Sequence, residues 1–251
     1  MQKINVIIPM AGEGRRFKEA GFKKPKPLIK VFNKTLIEIA IETLDIKNAN
    51  FYFVARKYKN KNFNKELKKI LLKYTDIKKI VYLKRKTSGA VETLLKVKKI
   101  SQNLPLLTSN CDQYMDWNSN KFLKLMKKKK YDGGVVTYKS KNKKNSFAKV
   151  KNNLVIKIAE KKVISNNALI GIHYWKKTGY FFSSAKKLIK KIKNKKLNTE
   201  PYVSETYNFL LENKMKIASY LLKPKNYFLI GIPKDYNLFK TKFKNDKRNI
   251  I

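Results

Sequence analysis

Short apolar runs and amphipathic helical stretches alternate along the first half of the chain, and few folds accommodate that rhythm. KINVIIP (3–9) is an apolar run leading into glycine-containing sequence, as a buried strand does. TLIEIAIETL (35–44) sets Leu36, Ile39, Ala40 and Leu44 at helical spacing, and Thr35 can cap its start. The same reading predicts further strands at 51–55, 78–83 and 105–110, with helices at 63–74 and 88–98. Strands separated by helices join a sheet in parallel, because the crossover needs a helix to cover the face it spans.

The second half reads differently. A helix is expected at 121–130, a strand at 133–139, and two short strands over 147–158 joined by a turn at Asn152 and Asn153. A strand at 168–174, a lysine-decorated helix at 181–193 and a helix at 202–213 follow. Strands at 216–221 and 227–230 precede a last helix starting near Lys234. No Pro- or Gly-rich linker divides the chain, so residues 1–251 are expected to form one mixed α/β domain.

Charge opens a contest over function. The chain carries 60 basic residues against 17 acidic ones, a formal net charge of +43, which invites a basic nucleic-acid-binding protein. Yet only five of the 60 are Arg and 55 are Lys, spread along the whole chain. Arginine is the residue suited to bidentate recognition of bases and phosphates, so a dedicated nucleic-acid reader should hold more of it. A lysine-rich surface that follows genome composition fits better, with no specific nucleic-acid partner. The single Cys111 excludes a disulfide framework and a cysteine-based zinc site, and the single His173 excludes a two-histidine mechanism. No apolar run approaches the roughly 20 residues needed to span a bilayer. The amino terminus lacks signal-peptide organisation, so a soluble cytoplasmic protein is expected, without a membrane partner.

The first strand leads into Pro9-Met10-Ala11-Gly12-Glu13-Gly14-Arg15-Arg16-Phe17. Two glycines allow a tight bend that brings backbone N–H groups close to phosphate oxygens, and Arg16 can neutralise charge. The spacing matches neither the P-loop nor the full dinucleotide fingerprint. About ten residues on stands Lys24-Pro25-Lys26-Pro27-Leu28-Ile29. Singly, each candidate also has a plain structural reading. Lys26 and Lys161 could be solvated lysines, Asp112 a cap, Glu200 a helix-start acid, and Gly171 relief of strand crowding. His173 reads as structural and Cys111 as a packed small hydrophobe.

In combination these residues resemble the sugar-phosphate nucleotidyltransferases, which make nucleotide-sugars and open with Gly-x-Gly-x-Arg followed by Lys-Pro. The resemblance continues in order through Thr87-Ser88-Gly89-Ala90, Asn110-Cys111-Asp112-Gln113, Ala159-Glu160-Lys161, Ile170-Gly171-Ile172-His173-Tyr174, Asn198-Thr199-Glu200-Pro201-Tyr202 and Ile230-Gly231-Ile232-Pro233-Lys234-Asp235. The Asn-Cys-Asp-Gln form is closest to the family's capsule-biosynthesis branch. The resemblance implies a three-layer α/β/α fold of Rossmann-like, GT-A type with a mixed, mostly parallel sheet. It also implies a nucleotide-binding half (1–115) and an acceptor-binding half (116–251). The implied reaction is Mg²⁺-dependent transfer of a nucleoside monophosphate from a nucleoside triphosphate to a sugar 1-phosphate or similar phosphorylated acceptor, with release of pyrophosphate. Ala11, Gly12, Gly14, Arg16, Thr87 and Gly89 would then meet the nucleotide. Arg16, Lys26 and Asp112 would be catalytic, with Asp112 the metal ligand. Glu160, Lys161, Gly171 and Glu200 would meet the acceptor. Self-association stays open.

The chain departs from the family pattern at four places. Arg15 stands where Ser or Thr is usual. Leu229 occupies the position at which many members carry a second metal-binding Asp, and Ile232 and Lys234 replace a Thr and an acid in the closing turn. These losses keep open a catalytically silent relative acting as a regulatory subunit. A GT-A glycosyltransferase would want Asp-x-Asp where this chain has Asn110-Cys111-Asp112.

Overall fold

The computed structural model describes residues 3–74 and 77–244. In chain order the first half holds β1 (Ile4–Met10), α1 (Arg15–Glu19), β2 (Lys30–Val31), β3 (Lys34–Thr35), α2 (Leu36–Leu44), β4 (Ala49–Arg56), α3 (Lys61–Tyr74), β5 (Ile77–Leu83), α4 (Ala90–Leu95), β6 (Leu106–Ser109) and β7 (Gln113–Met115). The second half continues with α5 (Ser119–Lys128), β8 (Gly133–Lys139), β9 (Ser146–Lys151), β10 (Leu154–Glu160), β11 (Asn167–Trp175), α6 (Thr178–Asn194), α7 (Thr206–Glu212), β12 (Ile217–Leu222), β13 (Tyr227–Leu229) and α8 (Pro233–Phe243). Among the described residues no helix is long and apolar enough to cross a membrane.

Nine strands form the main sheet in the order β5-β4-β1-β6-β11-β8-β12-β10-β9. The expected parallel pairing holds from β5 through β6. β11 then runs against both β6 and β8, and β10 against both β12 and β9, so the sheet is mixed while seven of its nine strands share one direction. Successive residues of β1 face opposite sides, and each side has its own core. Val6 and Ile8 pack with Ile37 and Ile41 of α2, Leu67 and Leu71 of α3, and Phe122 of α5. Ile7 packs with Val91 of α4, Phe181 and Ala185 of α6, and Tyr207 of α7. Helices on both faces complete three layers.

Two elements differ from the sequence expectation. The helix read at 88–98 is α4 alone, because the chain tightens after Leu95. Lys96 N–H bonds the Thr93 carbonyl, Val97 N–H bonds that of Leu94, and Lys99 then turns to φ 57°. The strand read at 227–230 does not join the main sheet. As β13 it pairs with β7 in a separate two-stranded ribbon.

That ribbon belongs to a third, smaller core. Phe17 of α1, Ile29 and Val31, Leu36 and Ile39 of α2, Tyr114 of β7, Ile230, and Tyr236, Phe239 and Phe243 of α8 are buried together. Tyr236 also donates its hydroxyl to the Lys30 carbonyl at 2.9 Å. This cluster ties the glycine turn, the Lys-Pro segment, the strand after Asp112 and the closing turn into one rigid base.

Candidate functional site

The turn after β1 leaves the sheet where its neighbours diverge, with β4 on one side and β6 on the other. A crevice at the carboxyl ends of parallel strands, at such a reversal of strand order, is where open α/β sheets take ligands. Gly14 is held there for two reasons. Its backbone is left-handed (φ 62°, ψ 29°) as the residue that starts α1, and a Cβ on it would lie 3.1 Å from Cβ of Lys26. A Cβ on Gly12 would meet open space, so packing does not demand that glycine. Arg16 projects from the first turn of α1 and is exposed.

The structure separates the two lysines of the Lys-Pro segment. Lys24 reaches outward to Glu66 of α3 at 2.6 Å. Lys26, in a 3₁₀ turn over Lys26–Leu28, points inward and forms an ion pair with Oδ2 of Asp112. Burial disfavours its ammonium, but the attraction of Asp112, the influence of Cys111 and the hydrogen bond to Asp112 together outweigh this and hold Lys26 above the usual lysine value. Arg16 is close enough to oppose that charge.

Asp112 follows the end of β6, and only 9% of its surface is exposed. Its carbonyl accepts the Ile230 N–H at 2.7 Å, which locks the closing turn onto it. A Cβ on Gly231 would lie 2.9 Å from Oδ2 of Asp112, so this glycine makes room for the carboxylate. Asp235, in the first turn of α8, is raised above the usual carboxylate value by burial and then by the negative charge of Asp112, with Lys234, Lys144 and Arg16 opposing. Asp235 therefore brings a second carboxylate within electrostatic reach of Asp112. Leu229 stands opposite Gln113 in the β7–β13 ribbon. Among the described residues no group of three or more His, Cys, Asp and Glu is arranged to hold a metal. The donor set still fits a hard cation such as Mg²⁺, which commonly uses one or two carboxylates together with substrate phosphates and water.

The expected acceptor residues form a neighbouring group. Glu160, at the end of β10, accepts hydrogen bonds from the hydroxyls of Ser146 and of Ser204, the latter at 3.0 Å. Lys161 turns at φ 50°, donates to the Tyr202 hydroxyl and lies 4.5 Å from the centre of that ring. The hydrogen bond to Tyr202 leads the causes that raise its pKa, and Glu160 and Glu200 add to them. Glu200 reaches the start of α4, where a Cβ on Gly89 would lie 2.5 Å from its Cγ. Gly89 thus clears space for Glu200 in this state. Thr87 shares a 2.6 Å hydrogen bond with Thr93 and donates to the Gly89 carbonyl at 3.3 Å, bracing the start of α4.

Gly171 lies under Asn110. A Cβ there would overlap the Asn110 side chain, and the Asn110 N–H donates to the Gly171 carbonyl at 3.1 Å. Its visible role is to seat the segment that leads into Asp112. Cys111 is buried, and that burial pushes its thiol up to about 12, which removes it as a nucleophile. Nothing in the sequence marks Tyr202, Ser146, Ser204 or Arg56 as a site residue. None belongs to a local signature, except that Tyr202 closes the Asn198–Tyr202 motif. Asp235 likewise closes the Ile230–Asp235 motif.

A glycine turn, an inward lysine and a buried carboxylate thus meet at the switch point of a three-layer α/β/α sheet. The chain belongs to the nucleotidyl transferase family, whose model matches residues 5–237. No curated protein sequence matches it. Solved structures share its fold at low identity. The nucleoside-diphosphate-sugar pyrophosphorylase of Vibrio cholerae RC9 is 21% identical, with a TM-score of 0.78 over 94% of this chain and 99% of that one. A UDP-glucose pyrophosphorylase complexed with UDP-glucose is 17% identical, with a TM-score of 0.75 over 97% and 99%. The inositol-1-phosphate CTP transferase of T. maritima is 14% identical, with a TM-score of 0.70 over 96% of each chain.

Proposed function

We propose that this nucleotidyltransferase moves a nucleoside monophosphate from a nucleoside triphosphate to a sugar 1-phosphate or similar phosphorylated acceptor, releasing pyrophosphate, in nucleotide-sugar synthesis for a surface polysaccharide of the capsule type. The observation that carries this reading is the inward Lys26–Asp112 pair beside the Gly14 turn. In one domain, residues 1–115 would take the nucleotide and 116–251 the acceptor.

An acceptor phosphate oxygen attacks the α-phosphorus in line, and pyrophosphate leaves from the opposite side. The acceptor phosphate is already ionised at neutral pH, so the protein needs no general base. Its task is alignment and charge neutralisation. The backbone of Ala11–Gly14 cradles the triphosphate and Arg16 neutralises its outer phosphates. Lys26 binds between the α-phosphate and the attacking phosphate, and Lys161 grips the acceptor phosphate. Glu160 and Glu200 accept hydrogen bonds from acceptor hydroxyls. Asp112, with Asp235 nearby, would hold Mg²⁺, which would supply Lewis-acid stabilisation of charge on the α-phosphate.

The test is a panel of the common triphosphates against several sugar phosphates and phosphocholine-like acceptors, read by pyrophosphate release. Asp112→Ala and Arg16→Ala should each abolish release while the circular dichroism of the folded protein is kept. Full activity in either variant would sink the assigned roles. Turnover that requires a divalent metal would exclude the silent-subunit reading that Leu229 favours.

A further inference from the structure

Glu13 stands between the two glycines of the turn after β1 and is exposed. A carboxylate is an awkward residue in a turn meant to receive a polyphosphate, since like charges a few ångströms apart repel. Arg56, the last residue of β4, resolves the conflict. β4 runs parallel to β1 with Met10 opposite Ala55, so both chains leave the sheet side by side. From that position Arg56 donates its Nε–H to the Ala11 carbonyl at 3.4 Å. Its Nη2 reaches Oε1 of Glu13 at 3.3 Å. One planar guanidinium therefore holds the backbone at the start of the turn and the only acid within it, a two-point grip that a lysine ammonium would not reproduce.

We infer that Arg56 is a positioning residue for the phosphate-receiving turn, which draws the Glu13 carboxylate aside and fixes the backbone of residues 11–14. The inference rests on the function proposed above. Arg56 acts through Glu13 and Ala11, not by touching the phosphates. Its removal should both loosen the turn and free a negative charge beside the ligand, and the second effect should vanish if Glu13 is made neutral.

The experiment compares the parent with Arg56→Ala, Arg56→Lys, Glu13→Gln and the double variant. Nucleoside triphosphate binding is measured by calorimetry, and amide hydrogen exchange over residues 11–14 in the ligand-free protein. Arg56→Ala should weaken triphosphate binding by about tenfold, the order expected for loss of a charge-assisted contact. It should also speed exchange in the turn, with Arg56→Lys intermediate. Adding Glu13→Gln to Arg56→Ala should restore most of the affinity while the turn stays loose. Unchanged exchange in Arg56→Ala would overturn the clamp. A double variant as weak as Arg56→Ala would overturn the charge argument and place Arg56 on the phosphates themselves. If the parent binds none of the common triphosphates, the functional reading falls, and the exchange measurement alone decides whether Arg56 clamps the turn.

Discussion

His173 lies on β11 within a stack of rings, 6.0 Å from Trp175 and 5.8 Å from Tyr207 between ring centres. Burial pushes its imidazole down to about 3, and its Nδ1 has no partner among the described residues. The folded protein thus keeps this side chain neutral where the unfolded chain would charge it. Between the ordinary value of 6.5 and the depressed one, the unfolded state holds the extra proton, so stability falls as pH falls through that window. The slope approaches about 1.4 kcal/mol per pH unit. His173→Phe should lower the acid sensitivity of the urea midpoint below about pH 6.5 relative to the parent. Two parallel curves would refute this account. The structural reading of the lone histidine was available from its apolar neighbours Ile172 and Tyr174. The inward turn of Lys26 was not available, because Lys24 is the same residue type and also precedes a proline. Only the fold sends one to Glu66 and the other to Asp112.

α2 starts with a full capping box. Thr35 and Glu38 exchange hydrogen bonds: Glu38 N–H to the Thr35 hydroxyl at 3.4 Å, and Thr35 N–H to the Glu38 carboxylate at 2.7 Å. The helix thereby points Leu36 and Ile39 into the small core beneath the site. Thr35→Ala should cost about 1 kcal/mol and lower Tm by a few degrees. A larger loss of activity than of stability would show that the cap also sets the site base. Thr35, the helical spacing after it and the alternating runs made α2 and the parallel strands readable in advance. α1, the β2–β3 hairpin and β7 span only two to five residues each, too few for any periodicity to register. They are the elements that surround the site, so the motifs located it while its construction stayed hidden. Arg56 illustrates the gap, since its contacts are about 45 residues away in sequence and depend on β4 lying beside β1. Tyr202 meets Lys161 from 41 residues away for a similar reason.

The whole molecule carries a formal charge of +43, far more than the site can use. The proposed mechanism assigns phosphate contacts to Arg16, Lys26 and Lys161, and its further basic residue, Arg56, is spent on Glu13. The remaining lysines are spread over helices, strands and connecting turns. Those of α3, α5 and α6 cover opposite sides of the sheet, which is unlike the one-sided basic face of a nucleic-acid reader. A field of this sign and size still acts on any polyanion approaching the crevice, raising its local concentration and speeding its capture. Salt screens that attraction over a Debye length of about 10 Å at 0.1 M, while contacts made inside the site are screened much less. The two contributions therefore separate in a salt titration. KM for the triphosphate should rise steeply with ionic strength while kcat changes little. A kcat that falls in step with KM would mean that the excess lysines act on the bound complex, and a flat KM would make the surface charge irrelevant to capture.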